Sequence, residues 1–151
     1  MLLTGKQRRT LGSLASGGPG ADEGMPVRHA CCSDAEYRFG DHGPAYLLRG
    51  PRTDIGVVLL RPGDDVMNHF HANVEESFII IKGTGTLWVD CAEKRTIVPG
   101  DVYQSPPGEM HYFVNDGDAD FEMVFVKAPY DPTDTIQVPW IPGEPAPEKQ
   151  Q

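Results

Sequence analysis

The sequence predicts an all-β domain, a sandwich or closed barrel. Three observations carry this. Short β-rich runs recur along the chain, each bounded by Gly, Pro, Asn or Asp. Helical periodicity is nearly absent. Gly 17 and Pro 14 in 151 residues supply turns throughout. Strands without intervening helices fold as sheet on sheet, or as one sheet closed on itself.

Taken in order, the runs are "AYLLRG" at 45–50, "IGVVLLR" at 55–61, "VMNHFH" at 66–71 and "ESFIIIK" at 76–82. "TLWVD" at 86–90 follows, and Gly83-Thr84-Gly85 between these last two reads as a hairpin turn. Then come "KRTIV" at 94–98, "DVYQS" at 101–105, "MHYFV" at 110–114 and "FEMVFVK" at 121–127. Asp116, Asp118 and Asp120, interleaved with Asn115 and Gly117, read as a solvated turn. They lack the twelfth-position Glu of a calcium loop.

The length fits one domain with a real core. Residues 1–24 read as a flexible N-terminal extension, basic and free of acid up to Asp22, and Met25 is a candidate start. Residues 25–141 form the expected barrel domain, and 142–151 the expected disordered tail. Within the last part of that domain the chain turns proline-rich after Val126, where Tyr130, Ile136, Val138, Trp140 and Ile141 are apolar enough to dock on the barrel or a partner.

A net charge of -9 argues against nucleic acid and anionic membranes, which need basic patches. No stretch approaches the ~20 apolar residues of a membrane helix, and the N-terminus lacks the apolar core of a secretory signal. Three cysteines, two of them adjacent (Cys31 and Cys32), fit reduced thiols in a cytoplasmic protein.

The chemistry sits in "NHFHANVEESFIIIKG" at 68–83. Strand residues i and i+2 point the same way, so His69 and His71 share a face with Met67. On the next strand Glu76, Phe78 and Ile80 share a face, which leaves Glu75 outward. A buried carboxylate beside imidazoles is costly unless a cation compensates, and a divalent metal binds both donor types. His111, sharing a face with Phe113, offers a third imidazole. His29 and His42 receive no role, and Arg49, Arg52 and Arg61 read as strand-edge charges.

The spacing resembles the cupins. Their first motif is matched by Gly63, His69, His71, Glu76 and Gly83, their second by Gly100, Pro106, Gly108, His111 and Asn115, with no insertion. The likeness covers residues 45–127. It implies a small jelly-roll, or double-stranded β-helix, barrel holding one divalent transition metal (Fe, Mn, Ni, Co or Zn). It places His69, His71, Glu76 and His111 at the ligand positions. It also implies a homodimer, with residues 26–50 suited to strand exchange.

The expected function is that of a metal-dependent enzyme on a small oxygenated metabolite: a sugar, keto acid or hydroxy acid. The reaction would be an isomerisation, epimerisation or lyase step through a metal-stabilised enediolate. Glu76, Tyr103 and Glu109 are the candidate proton carriers, while Met67, Phe78 and Phe113 are the expected pocket walls. An Fe(II)-dependent dioxygenase is the second expectation, and a small-ligand-binding cupin without turnover the third.

Overall fold

The structure is a computed structural model and describes residues 26–148. The extension at 1–24 therefore lies outside the described residues, as do the last three positions of the expected tail.

After a 3-10 turn at Cys32–Asp34, ten strands follow: β1 (Gly43–Arg49), β2 (Asp54–Leu60), β3 (Asp65–Phe70), β4 (Glu75–Lys82), β5 (Gly85–Val89), β6 (Glu93–Ile97), β7 (Val102–Ser105), β8 (His111–Val114), β9 (Phe121–Ala128) and β10 (Ile136–Gln137). They form two five-stranded antiparallel sheets, ordered β1-β2-β9-β4-β7 and β10-β3-β8-β5-β6. From β2 to β5 the chain changes sheet at every step, the winding of a double-stranded β-helix. The two sheets close on one core of Val58, Leu60, Phe78, Ile80, Leu87, Ile97, Phe113, Phe121, Met123 and Phe125.

Strict alternation builds this core. In β9, Phe121, Met123, Phe125 and Lys127 are buried, with half-buried residues between them. β4 alternates in the same way, so Ile80 lies opposite Met123, Phe78 opposite Phe125 and Glu76 opposite Lys127. Gly56 in β2 exists because a Cβ there would come within 2.2 Å of Phe125 and 2.3 Å of the Ala45 carbonyl.

The nine expected strands are all present within one or two residues at either end. The expected hairpin at 83–85 is not one. β4 pairs with β7 and β9, whereas β5 pairs with β6 and β8, so Gly83-Thr84-Gly85 is a corner between sheets. Gly83 has φ +74, and a Cβ on it would meet the Asp120 carbonyl at 2.3 Å. Turn residues alone do not distinguish a hairpin from a corner. The tight hairpin lies at Asp90-Cys91, both at positive φ, joining β5 to β6.

β10 was not visible in the sequence. It pairs with the end of β3, Gln137 opposite His69. Beyond it Trp140 docks against Cys91, Met110 and Tyr112, and its indole N–H donates to the Glu144 carbonyl at 3.1 Å. Among the described residues no helix is long and apolar enough to cross a membrane.

Candidate metal centre

Three strand ends, of β3, β4 and β8, meet at one end of the barrel. β3 delivers His69, directly opposite His111 at the start of β8, and the pairing of these strands is irregular between Val66 and His69. His71 follows just after β3, where its carbonyl accepts from the Gly108 N–H at 2.7 Å. Glu76 comes from the other sheet, near the start of β4. The centre thus bridges both sheets. Glu76 is buried and Glu75 exposed, as strand parity requires.

The side chains converge. His71 Nε2 lies 2.8 Å from Glu76 Oε2, His111 Nε2 3.2 Å, and His69 Nε2 3.7 Å. His69 Nε2 and His111 Nε2 are 3.1 Å apart. One ligand atom from each residue lies within 4.8 Å of every other.

The outer nitrogens decide what these atoms offer. His69 Nδ1 pairs with the Met67 carbonyl at 2.8 Å, and His111 Nδ1 with the Glu109 carbonyl at 3.3 Å. His71 Nδ1 pairs with the Asp134 carbonyl. A carbonyl only accepts, so each Nδ1 carries a proton, and whichever ring is neutral then aims a bare Nε2 lone pair inward. Three lone pairs and a carboxylate facing one another need a shared cation. Ligands at about 2.0–2.2 Å from one ion stand ~3 Å apart when adjacent, which matches the spacings here. The donor set therefore fits a divalent transition metal, and imidazole with carboxylate suits several of them.

Electrostatics agree. Burial pushes the Glu76 carboxyl up, but the surrounding His111, His69 and His71 hold it well below the ordinary carboxylate range. Burial pulls His111 below the ordinary imidazole value against the pull of Glu76, which keeps the ring neutral and able to ligate.

Asp134 supports the centre, and sequence reasoning missed it. Besides its carbonyl on His71, its carboxylate accepts three backbone N–H groups, from Ala72, Asn73 and Val74, each at 2.7 Å. Burial raises its pKa, and these three donors more than reverse that. The loop that carries His71 is thereby pinned from 60 residues away.

The centre opens on a cavity of about 310 Å³. Glu76 and His69 reach it, Val58, Phe78, Met123 and Phe125 form its apolar walls, and Met67 stands among the lining residues, half exposed. Its polar lining is Arg38, Tyr46, Asp65, Lys127, Thr135 and Gln137. Three expected residues are not among its lining residues. Phe113 is fully buried in the core, its ring 4.6 Å from that of Phe78, which lines the cavity while Phe113 does not. Tyr103 lies opposite Phe78 on β7, and its hydroxyl donates to Asp101 at 3.2 Å. Burial and that carboxylate raise its pKa, and it does not line the cavity. Glu109 contributes its carbonyl to His111 and is likewise not a lining residue. Arg49 pairs with Asp54 at 3.6 Å, and Arg61 with Asp41 and Asp64, each at 3.3 Å.

Residues 56–127 match the family model described as "Cupin domain". An uncharacterized protein of Aquifex aeolicus is 29% identical over 70 residues, 46% of this chain and 57% of that one. Among solved structures, an uncharacterized conserved protein of Klebsiella pneumoniae with a double-stranded β-helix domain superposes at TM-score 0.66 and 20% identity, covering 75% of this chain and 99% of the other. The polyketide cyclase RemF of Streptomyces resistomycificus does so at 0.64 and 17%, covering 77% and 88%. At these identities the two structures speak to fold alone.

Proposed function

The chain belongs to the cupin family through residues 56–127, and from that premise we propose that it is a metal-dependent enzyme acting on a small oxygenated metabolite. The reaction class is isomerisation, epimerisation or a lyase step. The observation that carries this is the ring of inward lone pairs: three histidines with occupied Nδ1 atoms, aimed at one buried carboxylate beside a cavity.

A divalent metal held by His69, His71, Glu76 and His111 would supply Lewis acidity to a substrate carbonyl or hydroxyl oxygen. The chain does the rest. His69, His71 and His111 hold the ion with orientation set by backbone carbonyls. Glu76 is one of the two carboxylates that line the cavity and the one that belongs to the histidine cluster, so it is the candidate proton carrier. Val58, Phe78, Met123 and Phe125 keep water from the reacting carbon.

Metal-loaded protein incubated in D₂O with a panel of keto acids, hydroxy acids and sugars should place deuterium on the carbon beside the carbonyl of at least one compound, read by NMR. His111→Ala should abolish both exchange and bound metal. A metal-replete protein that exchanges none of them defeats this reading. The apolar walls favour a second reading, an Fe(II)-dependent dioxygenase, which predicts oxygen uptake matched to substrate loss. A homodimer is proposed on family likeness alone, and light scattering reads it directly.

A further inference from the structure

Lys127 is the buried charge that the metal centre does not use. Its side chain lies at the inward end of β9, and the residue is 6% exposed. Its ammonium donates to the Tyr46 hydroxyl at 3.2 Å and forms no ion pair among the described residues. A buried ammonium is costly without a counter-charge. The cavity's two carboxylates are already engaged: Glu76 by three imidazoles, Asp65 by the Tyr112 hydroxyl at 3.2 Å. Lys127 faces Glu76 directly across the β4–β9 ladder, and such neighbours have Cβ atoms ~5 Å apart on one face. Both line the same cavity, with exposed Arg38 among its lining residues. Arg49 stacks on the Tyr46 ring at 4.2 Å, adding positive charge beside the phenol that Lys127 bonds.

We propose that Lys127, with the Tyr46 hydroxyl, is a carboxylate-binding subsite beside the metal position, so that the substrate is a small carboxylic acid with an oxygen on the neighbouring carbon, a 2-hydroxy or 2-keto acid. The carboxylate pairs with Lys127 while the neighbouring oxygen faces Glu76 and the histidines. One small molecule spans both, because the two ends are adjacent cross-strand positions. This rests on the metal-centre reading and names its substrate class. Arg38 adds long-range attraction for an anion to a protein of net charge -9.

The test is calorimetric titration of the metal-loaded full chain with lactate, pyruvate, the uncharged isostere lactamide, and inorganic phosphate. Elemental analysis accompanies each titration. Lys127→Met should weaken lactate or pyruvate about 10- to 100-fold, as expected for loss of a charged hydrogen bond. Lactamide should bind poorly to both proteins, and metal content should not change. The melting temperature of the variant should hold or rise, since a charge without a carboxylate partner is removed. Equal lactate binding by the two proteins, a lowered melting temperature with unchanged binding, or phosphate bound while both acids are refused would each overturn the subsite. Full metal without charge dependence removes the subsite and spares the enzyme reading. Wild-type protein that takes up no metal removes that reading, and the lactate comparison still judges Lys127.

Discussion

The two ends of the barrel interior are built from the same strands and do opposite things. Toward the closed end β4 and β9 bring Ile80 against Met123, and Phe78 against Phe125 where the apolar core becomes the cavity wall. One step further along the same ladder, the inward pair is Glu76 and Lys127. Burial is nearly equal: Ile80 is 1% exposed, Glu76 5% and Lys127 6%. Alternation alone decides which side chains go in, and it is indifferent to their chemistry. The closed end gains stability from what it buries. The open end gives some up, holding acceptors and a cation that water would otherwise solvate.

The largest effect should come from the closed end. Phe113→Ala removes a fully buried ring that touches Phe78. It should cost about 3–5 kcal/mol in urea unfolding of the metal-free protein. A loss below about 1 kcal/mol would mean that this end relaxes freely and that the contrast between the two ends is overdrawn.

An intermediate effect separates orientation from ligation. Asp134→Asn keeps the backbone carbonyl on His71 but weakens the three N–H contacts that pin residues 72–74. Metal affinity should fall about 10- to 100-fold, the range for partners that orient a ligand without touching the ion. Competition with a fluorescent chelator measures it. Unchanged affinity would show that β3, Gly108 and the Asp134 carbonyl hold His71 without help from the carboxylate.

Much of this was legible from sequence, for identifiable reasons. Strand parity sorted Glu75 from Glu76, since Phe78 and Ile80 on the same face are apolar and buried. The same parity along β9, with Phe121, Met123 and Phe125 inward, also puts Lys127 inward. A terminal lysine reads as a strand-end charge only if that alternation is not carried one step further. Asp134 was out of reach, because its partners lie 60 to 62 positions earlier and no local pattern links them. Phe113 was correctly placed on the inward face, but a face has depth. The sequence does not say that Phe78 lines the cavity while Phe113 does not. The corner at Gly83 failed for a related reason, since tight-turn chemistry is local and sheet membership is not.

Acid sharpens the contrast most gently, because of the two ends of the barrel interior only the open one carries groups that titrate in this range. Burial lowers the His111 pKa in the folded state below its ordinary 6.5. The unfolded chain therefore binds a proton first as pH falls, and stability declines from about pH 6.5 downward. Above that value the ring is neutral in both states and contributes nothing. Glu76 acts in a second, lower window. Its folded carboxyl lies well below the ordinary 4.5, so its contribution is complete above that value and is lost as pH falls through the folded pKa. Chelator-stripped protein should thus lose stability in two successive limbs. His111→Gln should flatten the upper limb, because the titrating ring is gone while volume and polarity are roughly kept. Phe113→Ala should lower the whole curve without changing its shape, since nothing at the closed end binds a proton in this range. Denaturant midpoints taken from pH 8 down to about pH 2 cover both limbs and distinguish the two outcomes. An upper limb that survives His111→Gln would show that His111 is not its source.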